Sequence, residues 1–236
     1  MIVKIKDFIK NIVYSIIPPP FVQQYYSQVG EDIILQFLFR DYGIRKITYL
    51  DIGTNSPDHS NNTYLFYKNN STGVCVEADE TLIDIIKKVR PHDKVICAGV
   101  SVSDELEADF YVFDEPAIST FDKKEAEYRE SFGRNRIQKI IKVPLVKVNS
   151  LIKDNFDTYP DLLSIDVEGL DKSILESLDF SKYPIPVICV ETCTYSENHI
   201  RPKDLSISVF MLSKGYEVYA DTYVNTIVVN KKWFYK

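Results

Sequence analysis

The chain has no Cys-x-x-Cys pair, no zinc-type spacing of Cys and His, no G-x-G-x-x-G and no long uninterrupted apolar run. Each absence removes a class. Its four cysteines are Cys75, Cys97, Cys189 and Cys193, three of them inside apolar runs, and they read as buried, reduced thiols of a cytoplasmic protein rather than a zinc site. Without the glycine-rich fingerprint a pyrophosphate has no backbone cradle, which argues against an NAD-dependent oxidoreductase. A membrane span needs about 20 consecutive apolar residues, and none is present. Lys4, Lys6, Asp7 and Lys10 interrupt the first apolar residues, and no small-residue cleavage site follows, so a secretory leader is not expected. Positive charge is in short supply too. The net charge of −6 argues against a nucleic-acid binder.

What is present is an ordinary globular composition, 45% hydrophobic and 26% charged over 236 residues. Residues 1–26 read as an N-terminal arm. There Ile2, Ile5, Ile9, Ile12 and Ile16 recur at helical spacing before Pro18-Pro19-Pro20. Such an amphipathic helix packs on its own domain, on a second copy in a homodimer, or on a membrane surface. Residues 27–236 read as one α/β domain. Strands are expected at 46–53, 71–79, 94–101, 105–113, 162–169 and 186–193, with a strand and short helix within 142–152 and a C-terminal antiparallel hairpin. Helices are expected at 60–70 with Ser60 as cap, at 80–91 and at 201–215, besides a piece after 169. Residues 114–142 read as a long loop with a helical piece. Alternating strands and helices imply a mostly parallel sheet with helices on both faces.

Such sheets bind ligands beyond the carboxyl ends of their strands, so the polar residues there are the informative ones. They are Asp51, Gly53 and Asn55; Glu77 and Asp79; Ser101, Ser103 and Asp104; Asp166 and Glu168; Glu191 and Thr192. The first turn, LDIGTNS, holds a single glycine, and Glu77 follows at the end of the next strand, where an acid accepts hydrogen bonds from both hydroxyls of a ribose. One glycine plus this acid suits S-adenosylmethionine, which has no pyrophosphate.

Four segments, SQVGEDIILQFLF (27–39), YLDIGTNSPDHSNNTYLFY (49–67), GVCVEAD (73–79) and LLSIDVEGLDKSILESLDF (162–180), resemble the FkbM-type S-adenosylmethionine-dependent methyltransferases. The first turn departs from the commonest family form, in which a second glycine follows; Ser56-Pro57 and the SNNTY run resemble a subgroup. The resemblance implies a Rossmann-like class I methyltransferase fold and methyl transfer to a hydroxyl oxygen of a sugar, nucleotide-linked or destined for a surface polysaccharide. It implies a cofactor site in which Asp51 and Gly53, with Asn55, meet the methionine portion. Glu77 and Ala78 meet the ribose, Ser101 and Ser103 or Asp104 lie near the adenine, and Asp166 completes the site. The Ser27–Asp32 opening, with Gln28 and Glu31, would fold over the cofactor.

Methyl transfer to a hydroxyl requires alignment and removal of a proton. The candidates for the chemistry are Asp166, Glu168, Glu191 and His199, with His59 on a nearby loop; His92 reads as solvated. If the strand continues through Glu168, both carboxylates of IDVEG face the rim; if a turn begins at Val167, only Asp166 does. A divalent cation such as Mg, held by Asp166, Glu168 and Glu191, is an alternative activator, although no three-ligand spacing exists. The basic residues of 123–142, Arg134 and Arg136 among them, suit either a solvated face or a lid on the phosphates of a nucleotide sugar. The rival to an enzyme is a catalytically silent binding or scaffold protein of the same fold.

Overall fold

The computed structural model describes residues 23–167, 169–193 and 202–236. The arm helix expected before residue 23, Glu168 and His199 lie outside the described residues. In chain order the strands are β1 (Thr48–Ile52), β2 (Thr72–Glu77), β3 (Lys94–Cys97), β4 (Gly99–Ser101), β5 (Glu107–Phe113), β6 (Ile137–Lys147), β7 (Leu162–Ile165), β8 (Val187–Glu191), β9 (Tyr216–Asp221) and β10 (Asn225–Asn230). The helices are α1 (Glu31–Asp41), α2 (Tyr64–Lys68), α3 (Glu80–Val89), α4 (Lys123–Ser131), α5 (Val148–Asn155), α6 (Asp171–Ser177), α7 (Leu205–Ser213) and α8 (Lys231–Phe234).

Seven strands form the main sheet in the order β3-β2-β1-β7-β8-β10-β9. The pairs from β3 to β8 are parallel, and β10 runs antiparallel to both neighbours. This is the expected Rossmann-like methyltransferase sheet with its C-terminal hairpin. Its central strands are mostly apolar because both faces are covered, and every residue of β7 and of β8 is buried. One face packs Leu50 and Ile52 against Leu151 of α5, Ile174 and Leu175 of α6 and Met211 of α7. The other packs Tyr49 and Leu162 against Leu35, Leu38 and Phe39 of α1 and Phe66 of α2. No helix among the described residues is long and apolar enough to cross a membrane.

Several boundaries differ from the sequence expectation. Residues 94–101 form two strands rather than one. The break falls at Ala98, whose N–H donates to the Glu77 carbonyl at 2.9 Å, and β4 then joins a separate three-stranded sheet, β4-β6-β5. Residues 114–142 are not a long loop, since β6 already begins at Ile137 and pairs antiparallel with β5. The helix expected at 60–70 is only Tyr64–Lys68. Ser60, at φ +49°, does not cap it; Asn61 Oδ1 instead accepts the N–H groups of Thr63 and Tyr64. Cys75 and Cys189 are buried, but Cys97 is exposed on β3, an edge strand.

A buried ion network anchors β1. Arg90, fully buried after α3, donates Nε to Asp93 at 2.8 Å and Nη2 to Thr63 Oγ1 at 2.9 Å, and its Nη1 lies 3.5 Å from Asp51 Oδ2. The Tyr49 hydroxyl donates to the same Asp93 at 2.7 Å. Removing one partner of such a network leaves buried charge without compensation. Arg90→Met is therefore expected to lower unfolding free energy by about 3–5 kcal/mol in a urea titration.

Candidate active site

β1 and β7 are adjacent strands from which the chain leaves in opposite directions, so the crevice for a ligand lies at their carboxyl ends. Gly53 stands there at φ +80°. A β-carbon on it would lie 1.9 Å from the Asp166 backbone oxygen, so no side chain fits. The N–H groups of Gly53 and Thr54 both donate to the Val76 carbonyl, at 3.0 and 3.2 Å, which fixes the turn against β2.

A cavity opens over this approach. Ile52, Val76 and Val100 form its apolar floor, and Gly53, Asn55, Glu77 and Asp166 its polar rim; Ala78, Phe110, Ser119 and Phe121 form a wall, and Gln28 reaches it from the other side. Glu77 is 6% exposed, and its two carboxylate oxygens accept the N–H groups of Asn55 and Asp79, each at 2.8 Å. Burial pushes its pKa up, against the pull of these hydrogen bonds. Each oxygen keeps a lone pair for a ligand hydroxyl.

β7 ends at Ile165, and the turn begins directly after it. Asp166 donates its N–H to the Ile52 carbonyl at 3.0 Å and lines the cavity. The turn is held by Asp171, a residue the sequence reading did not single out. Its carboxylate accepts the N–H groups of Val167 at 3.1 Å and Gly169 at 3.2 Å. Asp171 is the first residue of α6, and an acid in that position was the available signal. Burial pushes the Asp171 carboxyl up.

Other candidates lie elsewhere. Asp51 sits within β1, on the face shared with Tyr49, and its Oδ2 is taken by Thr63 Oγ1 at 2.8 Å and Asn61 Nδ2 at 3.1 Å; it does not line the cavity. Glu31 does not line it either. Its fully buried carboxylate accepts from Thr222 Oγ1 at 2.6 Å, Val29 N–H at 2.9 Å and Asn225 Nδ2 at 3.1 Å. Burial works to raise its pKa, but these bonds win and hold it below the usual carboxylate range. Together with the Ser27 hydroxyl, which donates to Asp32 at 2.8 Å, this tie presents Gln28 to the cavity. Ser101 donates to the Ser103 carbonyl at 2.8 Å in a turn outside the lining. His59 is exposed, its Nδ1 2.7 Å from Ser56 Oγ. Glu191 lines a second cavity, with Thr192 and Asp204. No three His, Cys, Asp or Glu side chains among the described residues gather to hold a metal ion; Glu168, one of the three suggested ligands, lies outside them.

The wall residues Phe110, Ser119 and Phe121 were not anticipated. Phe110 comes from β5, within the strand expected at 105–113, and Ser119 and Phe121 from the connection that follows, which the sequence suggested to be a loop with a helical piece. Residues 51–218 match the family model described as the methyltransferase FkbM domain. The chain belongs to the FkbM methyltransferase family. No curated protein matches this FkbM chain. Among solved structures it is similar to a TehB-like SAM-dependent methyltransferase from Corynebacterium glutamicum, with TM-score 0.44, 10% identity and 97% of each chain covered. It is also similar to an O-methyltransferase from Bacillus cereus in complex with SAH, with TM-score 0.43, 12% identity, and 94% of this chain and 97% of that one covered. Likenesses of that size carry no argument; the strand order carries the fold.

Gly53→Ala places a β-carbon against backbone at a left-handed φ. It is expected to cost about 1–3 kcal/mol of stability and to displace the 166–171 turn, read as a lower thermal midpoint with loss of methyl transfer.

Proposed function

We propose that this FkbM methyltransferase uses S-adenosylmethionine and methylates a hydroxyl oxygen of a sugar, nucleotide-linked or part of a surface polysaccharide, in the cytoplasm. The observation that carries the cofactor is one cavity at the β1/β7 crevice that combines the Gly53 turn with the Glu77 carboxylate. The fit is specific in kind. Gly53 lines the cavity with backbone alone, packed against the Asp166 backbone, Glu77 retains lone pairs for the ribose hydroxyls, and Ala78, Phe110 and Phe121 offer apolar faces to a flat adenine. When bound, S-adenosylmethionine supplies a methyl group already activated on a sulfonium.

The chain's own task is then to align an acceptor oxygen and to take its proton. Alignment supplies up to roughly 7–11 kcal/mol, and a general base about 10²–10⁴-fold. Asp166, on the rim of the cavity, is the described carboxylate best placed for the proton. The sugar follows from the family resemblance, and Arg134 and Arg136 would engage its phosphates from the turn between α4 and β6, where the Arg136 N–H donates to Asp114 at 3.0 Å.

Glu77→Ala is expected to weaken S-adenosylmethionine binding about 10–100-fold in calorimetry, the worth of hydrogen bonds to a charged group. Ribose hydroxyls favour ionised Glu77, so affinity should fall as pH is lowered, beginning at higher pH than for an ordinary glutamate because burial raises this pKa. Calorimetry across a pH series checks the sign. For the acceptor, a mass-spectrometric screen of nucleotide sugars, with and without a chelator, should show a methyl-sized mass gain. Cofactor binding without any gain would favour the silent-scaffold reading.

A further inference from the structure

Beyond Glu77 the lining of the cavity at the β1/β7 crevice turns apolar. Ala78, Ala98, Phe110, Pro116, Ala117 and Phe121 stand there. Ala78 and Phe110 are buried in one small cluster against which Phe121 packs, and the Phe110 and Phe121 ring centroids lie 4.6 Å apart. Gly99 makes room for the second ring. A β-carbon there would lie 2.3 Å from Phe121 Cζ.

Ser119 is the one polar side chain on this wall among the described residues that line it, and it is 9% exposed. Its hydroxyl is only half used. Oγ accepts the Phe113 N–H at 3.1 Å. A serine hydroxyl also carries one O–H to donate, and no acceptor among the described residues takes it. A buried donor without an acceptor is costly, so a proton left over in a cavity wall calls for a partner inside the cavity.

The backbone on both sides holds this hydroxyl in place. The Ile118 carbonyl accepts Nη1 of the buried Arg129 at 2.7 Å. Thr120 exchanges both of its backbone hydrogen bonds with Tyr111 of β5, at 2.9 and 3.2 Å, and the Ser119 N–H donates to the Pro116 carbonyl at 3.1 Å. A donor fixed in this way is preorganised for its ligand.

An adenine lying against apolar faces presents three ring nitrogens, N1, N3 and N7, each of which accepts a hydrogen bond. Glu77, which accepts and does not donate when ionised, cannot serve them. We propose that the Ser119 hydroxyl donates a hydrogen bond to a ring nitrogen of the cofactor's adenine and is a specificity-determining side chain for the base. This rests on the S-adenosylmethionine reading above. It moves the base from Ser101 and Ser103, whose turn lies outside the lining, to the connection after β5.

The test measures calorimetric binding of S-adenosylhomocysteine and its 1-deaza, 3-deaza and 7-deaza analogues to the full chain. Each analogue replaces one ring nitrogen by C–H. At least one is expected to bind about 3–10-fold more weakly than the parent, the worth of one hydrogen bond. In Ser119→Ala the parent should weaken by a similar factor and that analogue's disadvantage should vanish. Ser119→Thr keeps the hydroxyl and should keep the disadvantage. A merely structural serine, needed only for the Phe113 N–H, would weaken all four ligands alike and leave their ratios unchanged. Should Ser119→Ala fail to fold, Ser119→Cys keeps the size with a weaker donor and should shrink the ratio. The proposal is overturned if the wild-type chain binds all three analogues as tightly as the parent, or if the disadvantage persists undiminished in Ser119→Ala or Ser119→Cys. Failure of the parent itself to bind the wild-type chain overturns the cofactor reading, and this proposal with it.

Discussion

At Gly53 the first turn of the sheet passes so close to the Asp166 backbone that the two strand ends leave no room for a side chain between them. Because β1 and β7 are hydrogen-bonded neighbours whose connections leave in opposite directions, this contact sets how far apart the two turns stand. It brings Asp166 to the rim and sends the 166–171 turn between the two cavities. Asp171 then holds that turn from the far side through two backbone N–H groups. The floor is built from backbone and aliphatic side chains inside a packed sheet, so its geometry is stiff, and a site of this kind needs such stiffness.

Two buried carboxylates near this contact serve opposite ends. Asp51 is spent on structure. It belongs to the Arg90 network, where Asn61 and Thr63 satisfy it and tie α2's approach to β1. Glu77 is held by two backbone donors, yet burial still raises its pKa, so its ionised form is disfavoured by the fold. A carboxyl whose folded pKa lies above its unfolded one lowers stability as pH rises through that window. Glu77 also lines the cavity.

Much of the sheet was legible because burial on both faces leaves a plain mark. β7 and β8 are buried throughout and apolar but for Ser164 and Glu191, and the strand-end rule then drew attention to Gly53, Glu77 and Asp166, which do share one cavity. Asp51, which the rule also named, is not among the residues lining that cavity. β1 runs on to Ile52, and the period of two turns Asp51 to the face of Tyr49. Ser60 and Asn61 are both good caps by type, and only the backbone chose between them. The segment 114–142 was opaque for a stronger reason. The first half of β6 is basic and only weakly alternating, and it becomes a strand because β5 supplies a partner, which no local pattern records. Ser119 and Phe121 were hidden along with it.

The Glu31 carboxylate bonds to Thr222 and Asn225, which lie 191 and 194 residues away along the chain. Contacts between such distant parts of a chain come with a large loop-closure cost and are slow to form. Gln28 is presented to the cavity by this same tie, so that wall is completed only after the hairpin of β9 and β10 has joined the sheet. The β1, β2 and β7 portions of the crevice precede this hairpin in the sequence, so the wall at Gln28 depends on the last strands of the sheet in chain order.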